Sequence, residues 1–186
     1  MQCNVFMLSY RGYGNSQGTP TEKGLRLDAQ AGLDYILSHD VLSKSKLILY
    51  GQSLGGAVAL DLASRHPDKM SALILENTFL SIPKMIPAVL PALAPFSVFC
   101  MQKWNSERAI TLVPPSVPML FLSGLQDEVV PCSHMERLHE IASDPKTGGN
   151  CSNRFLKKFP NGTHNDTFLR SGYWTAVLQF VQSVQQ

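Results

Sequence analysis

Ser53 stands between Gly51 and Gly55 in the stretch LILYGQSLGGAVAL (47–60), where strand-like residues give way to helix-like ones. The pattern G-x-S-x-G in that setting predicts a sharp strand-to-helix turn that lifts a serine hydroxyl above a sheet. Small residues at Gly51, Gly55 and Gly56 would let strand and helix approach each other. The helix beginning at Leu54 would turn unpaired N–H groups and its positive dipole end toward the hydroxyl, so the Leu54 amide is the candidate oxyanion donor. The plainer reading of the same residues is a glycine-rich helix start with a serine N-cap; the flanking strand and helix favour a nucleophile.

A serine hydroxyl needs a base to take its proton and a carboxylate to orient that base, in the chain order serine, acid, histidine for this architecture. Asp127 follows the apolar run PMLFLSG (118–124), and His164 follows the last strand-like run in FPNGTHND. Both fall where loops gather at the carboxyl ends of strands. Glu128 adjoins Asp127 and is expected to point away; Glu76, at the end of SALILEN (71–77), ranks next as the acid. His39 and His66 sit at helix ends, and His134 and His139 fall within a helical pattern. Asp166 is too close in sequence to His164 to reach the outward ring nitrogen easily, and solvation is its expected fate.

The elements that must hold these residues are legible as alternation. Runs at 4–10, 46–51, 71–77, 118–124 and 153–160 are rich in aliphatic and β-branched residues, and the middle three are apolar almost throughout, as strands covered on both faces should be. Helical spacing appears in Leu25, Ala29, Leu33 and Ile36, over Leu54 to Arg65, in Met135, Leu138 and Ile141, and in Tyr173, Val177, Val181 and Val184. The expected architecture is α/β: a mostly parallel sheet with helices on both faces, in one domain over 1–186.

An apolar insertion at 81–115 interrupts the rhythm. Pro83, Pro87, Pro91 and Pro95 recur every four residues, and Lys84 lies among them. A membrane-spanning helix needs about 20 apolar residues, so the segment reads as a lid or wall of a greasy pocket. The 186 residues are 44% hydrophobic and 16% charged, with 16 basic and 14 acidic side chains giving a net charge of +2 without charged blocks. That balance offers no footprint for nucleic acid. Cys3, Cys100, Cys132 and Cys151 have neither metal spacing nor a C-x-x-C pair, and are read as free thiols; no metal or cofactor is called for. Glycosylation sequons begin at Asn150, Asn161 and Asn165.

With these residues assembled, YRGYGNSQG (10–18), GQSLGGAVA (51–59), ENTFLSIP (76–83), LFLSGLQDEVVP (120–131) and PNGTHNDT (160–167) resemble the α/β-hydrolase superfamily of serine hydrolases. The closer resemblance is to the bud-emergence family, of the α/β-hydrolase domain-containing protein 13 type. It implies an α/β-hydrolase fold, a Ser53, Asp127, His164 triad, and hydrolysis of carboxylic esters or thioesters without metal or cofactor. Acyl-bearing small molecules, lipids or acylated proteins are the implied partners, with contact to a membrane surface. Full-length relatives are tethered to an endomembrane, the endoplasmic reticulum, by an N-terminal apolar helix. This sequence lacks that anchor, the family's N-terminal strands and the His-Gly loop that donates the second oxyanion N–H, so it reads as N-terminally truncated and soluble. Losing one oxyanion donor costs about a hundredfold in turnover. The alternative is therefore a catalytically impaired fragment, or a non-catalytic interaction protein of the same fold.

Overall fold

Four of the five strand-like runs pair into one parallel sheet, in the computed structural model that describes residues 3–89, 91–147 and 151–185. In chain order they are β1 (Ile48–Gln52), β2 (Ala72–Glu76), β3 (Met119–Gly124) and β4 (Arg154–Phe159), and they lie side by side in that same order. The register sets Gln52 beside Glu76 and Glu76 beside Leu122, so the carboxyl ends of β1, β2 and β3 form one rim. Every residue of β2 and β3 is buried, which accounts for their unbroken apolar sequence. The edge strand β4 instead exposes Lys157 and Lys158, a charge pattern that discourages further pairing.

The expected strand at 4–10 does not form; these residues belong to no ladder. An extended run becomes a strand only when a neighbour accepts and donates its backbone hydrogen bonds, and propensity cannot supply that neighbour. The chain divides into two compact units, Met1–Lys46 and Leu47–Gln186. Within the first, helix α1 (Glu22–Ser38) begins at Thr21, whose hydroxyl accepts the Gly24 N–H at 3.0 Å. Arg11 grips Asp28 through its backbone N–H, Nε and Nη2 at 2.7–3.0 Å. That ion pair holds the Asp28 carboxyl below the usual carboxylate range.

The second unit holds the sheet. Helix α6 (Tyr173–Gln185) covers one face, packing Tyr173, Val177, Phe180 and Val181 on Ile74, Leu120 and Leu122. Helices α2 (Leu54–Arg65), α4 (Ser106–Thr111) and α5 (Cys132–Ser143) pack together, α2 and α5 lying on the sheet. His139 of α5 meets Phe121 edge to face, with ring centroids 5.4 Å apart.

The apolar insertion folds as α3 (Ile82–Val89) followed by a 3-10 segment, Pro91–Phe99. Each proline removes a backbone donor and disfavours a long α-helix, and Pro87 and Pro95 lie inside these pieces. The insertion is fastened at its base: Ile82 N–H donates to the Lys103 carbonyl and Glu107 N–H to the Leu80 carbonyl, both at 3.0 Å, while Lys84 pairs with Glu107. Among the described residues, no helix is long and apolar enough to cross a membrane.

Candidate active site

Ser53 occupies the single residue between β1 and α2 and takes φ +52°, ψ −120°. A non-glycine residue at positive φ is strained, and here the surroundings hold it in place. Its N–H donates to the Glu76 carbonyl at 2.9 Å, and its own carbonyl accepts the Gly56 N–H at 3.0 Å and the Thr78 hydroxyl at 2.7 Å. The glycines around it are not equivalent. A Cβ on Gly51 would lie 2.3 Å from the Gly55 carbonyl oxygen, and one on Gly56 would lie 2.6 Å from Thr78, whereas one on Gly55 would meet nothing within 4 Å. The turn thus requires Gly51 and Gly56; the motif's second glycine is sterically free. The amide of Leu54, the first residue of α2, has no intrahelical carbonyl to bond and lies next to the hydroxyl in the chain.

Asp127 and His164 meet directly. His164 Nδ1 lies 2.8 Å from Asp127 Oδ2, with the two side chains 9% and 1% exposed. A carboxylate only accepts, so Nδ1 carries the proton and Nε2 of the neutral ring is the free basic nitrogen. Asp127 is itself pinned: its Oδ1 accepts the Val129 and Val130 N–H groups at 2.8 and 2.7 Å. The Asp127 hydrogen bond raises the His164 pKa above the ordinary histidine value, against the opposing effect of burial.

Gln52, the residue before Ser53, donates its side-chain amide to the His164 carbonyl at 2.7 Å, drawing the serine turn and the histidine turn together. Among the described residues, no hydrogen bond joins Ser53 Oγ to the His164 imidazole.

The other candidates have separate partners. Glu76 is fully buried on β2, where its Oε2 accepts from the hydroxyls of Tyr50 and Tyr173, the latter at 2.6 Å. Burial first, and then the Glu76 hydrogen bond, push both tyrosine hydroxyls far above the usual range. Glu128 does not point away as expected: its Oε2 accepts the His164 N–H at 3.3 Å, because the backbone of the histidine turn passes over it. Asp166 also does more than meet solvent, accepting the Thr163 N–H at 2.7 Å and pairing with Arg170. His39 and His66 cap α1 and α2. On α5, His134 is buried and accepts the Leu80 N–H at 3.2 Å through Nδ1, and burial lowers its pKa. Asn161 and Asn165 are exposed beside His164, while Asn150 lies outside the described residues.

Sequence reasoning missed Asn77. It directly follows β2 at φ +44°, and its side chain bonds the histidine turn. Its partners lie nearly ninety residues away, so no local spacing could have revealed it.

A strained serine after β1 and an aspartate-bound histidine after β4 thus stand at strand ends of one parallel sheet. The family model described as serine aminopeptidase, S33, matches residues 2–166. The chain belongs to this hydrolase family. It is 47% identical over 178 residues to an uncharacterized membrane protein of Saccharomyces cerevisiae, covering 96% of this chain and 60% of that protein. To protein bem46 of Schizosaccharomyces pombe it is 44% identical over 182 residues, covering 97% and 58%. An α/β-hydrolase from Vibrio vulnificus superposes with a TM-score of 0.75 at 24% identity, over 92% of this chain and 61% of that one. The fold is therefore that of the α/β-hydrolases, and the chain spans about 60% of the length of these curated relatives.

Proposed function

We propose that the chain carries the catalytic triad of a serine hydrolase acting on carboxylic esters or thioesters. The observation that carries this reading is the 2.8 Å bond from His164 Nδ1 to Asp127, set across the strand-end rim from a serine held at positive φ. Ser53 Oγ attacks the acyl carbon as His164 Nε2 takes its proton, and Asp127 stabilises the imidazolium that forms. The tetrahedral oxyanion draws on the Leu54 amide and the positive end of α2. His164 then gives the proton to the departing alkoxide or thiolate as the carbon–oxygen or carbon–sulfur bond breaks. Water, deprotonated by the same nitrogen, attacks the acyl-serine, and that proton passes to Ser53 Oγ as its bond to the acyl carbon breaks and the acid leaves.

Substrates with an apolar acyl chain suit the insertion. Phe96, Phe99 and Met101 are 62%, 76% and 87% exposed, a concentration of large apolar side chains that water does not favour. Lipids, acylated proteins and a membrane surface are the partners this segment fits, and residence on the endoplasmic reticulum would bring them within reach.

The test is hydrolysis of p-nitrophenyl esters and acyl thioesters of graded chain length by the chain and by Ser53→Ala. Turnover that rises with acyl length and disappears in the variant supports the proposal. Turnover equal in both proteins refutes it.

A further inference from the structure

Asn77 sits where three strand-end segments converge, and its side chain is spent entirely on joining them. Its backbone N–H donates to the Leu122 carbonyl at 3.1 Å, continuing the β2–β3 ladder by one step. Oδ1 accepts the Gly124 N–H at 2.9 Å, at the end of β3. Nδ2 faces the Thr163 carbonyl and the His164 carbonyl, each at 3.2 Å, and the Thr167 hydroxyl at 3.0 Å. The amide's orientation follows from its neighbours: a backbone N–H on one side needs an oxygen, and two carbonyls on the other need a donor.

The close approach that makes this possible is built from two glycines. A Cβ on Gly124 would lie 2.6 Å from the Gly162 carbonyl oxygen, and one on Gly162 would lie 3.0 Å from the Gly124 Cα. The histidine turn is thereby pressed onto the end of β3, and the Thr167 hydroxyl, itself donating to the Thr163 carbonyl at 2.7 Å, fills the junction. Asn77 is 1% exposed and holds φ +44°, a conformation in which asparagine is among the few side chains tolerated. Strain is accepted there, and the amide it aims is fully used.

We infer that Asn77 is a positioning residue of the candidate site: its amide holds the His164 carbonyl to the ends of β2 and β3, so that the imidazole is presented to Asp127 and Ser53 in one orientation. The inference rests on the reading of Ser53, Asp127 and His164 given above. Gln52 shares the task from the other side, its amide reaching the same carbonyl. Asn77 touches no reacting atom and acts through His164.

The experiment uses the full chain with Asn77→Ala and Asn77→Gly, the glycine relieving the positive φ while removing the same amide. Labelling of Ser53 by a fluorophosphonate is timed, and the His164 imidazole is titrated by NMR. Both variants are expected to label about a hundredfold more slowly, the cost of a misplaced catalytic group. In both, the His164 pKa is expected to fall toward the ordinary histidine value as its hold on Asp127 loosens. A variant with a dispersed amide spectrum, wild-type labelling and wild-type titration overturns the inference, as does a lowered melting temperature with an unchanged titration. A third reading needs no variant: in the unmodified chain the Asn77 Nδ2 protons and the Gly124 N–H should exchange slowly, and rapid exchange counts against the tie. If the wild-type chain takes no label, the hydrolase reading fails, while the titration and exchange still decide the role of Asn77.

Discussion

The histidine turn at 160–167 and the apolar insertion after β2 are built on opposite principles. Around His164, buried polar groups are tied by directional bonds: Asn77, Gln52, Asp127 and Glu128 all bond its backbone or ring. The stretch from α3 to Phe99 is tied at its base through Leu80, Ile82, Lys103 and Glu107, and Phe96, Phe99 and nearby Met101 are exposed. Directional bonds fix one geometry, which proton transfer requires; non-directional apolar contact accepts many shapes, which suits acyl chains. On the proposed reading, the difference would divide the work between a rigid wall that carries chemistry and an adaptable one that binds.

Substitutions can break or sharpen that division. The largest effect belongs to Ser53→Ala, expected to remove acyl transfer by on the order of a million-fold, about 8 kcal/mol, with the melting temperature nearly unchanged. Asp127→Asn should cost about ten-thousand-fold in kcat, by loss of the carboxylate that fixes the tautomer. It should also move the pH profile. In the proposed mechanism His164 works as a neutral base, so activity should rise through its pKa, which the Asp127 hydrogen bond holds above the ordinary value. Removing the charge takes away the largest raising influence and leaves burial opposed only by the more distant charges of Glu128 and Glu76, so the inflection should shift to lower pH. The same sign governs stability: the Asp127–His164 ion pair contributes fully below the ordinary histidine pKa and fades as pH rises through the raised one. Thermal melts of the wild type and Asp127→Asn across that window should converge at high pH.

Next come the glycines of the serine turn. Gly51→Ala should destabilise by roughly 1–3 kcal/mol, because its Cβ would strike the Gly55 carbonyl, whereas Gly55→Ala should lie within about 0.5 kcal/mol of wild type. Equal melting temperatures for the two would remove the steric account of the turn. The smallest effect on stability belongs to the insertion: Phe96→Ser and Phe99→Ser should change it by no more than about 0.5 kcal/mol, yet raise KM for long acyl chains while sparing short ones. A uniform loss of kcat would instead assign the insertion to the rigid wall.

Much of this was legible in sequence because it is local. The strand-to-helix switch at Ser53 and the strand-like runs that became β1 to β4 are each written in a few adjacent residues. Asp127 and His164 could be nominated because both follow such a run, and the structure joins them. What escaped depends on distant partners. Residues 4–10 have the composition of a strand, but no neighbour completes a ladder with them. Asn77 reads as the last residue of the strand-like run 71–77 until Gly124, Thr163, His164 and Thr167 arrive around it, and the orientation of Glu128 depends on the path of the same turn. Gly55 fits the motif, but only the backbone reveals that the tight approach falls on Gly51 and Gly56.

The most direct test of the central claim is mass spectrometry of the chain after treatment with diisopropyl fluorophosphate, beside His164→Ala. The account predicts one phosphoryl adduct, mapped to Ser53, formed quickly in the wild type and hardly at all in the variant. An unmodified Ser53, or an adduct that forms equally fast without the imidazole, would contradict it.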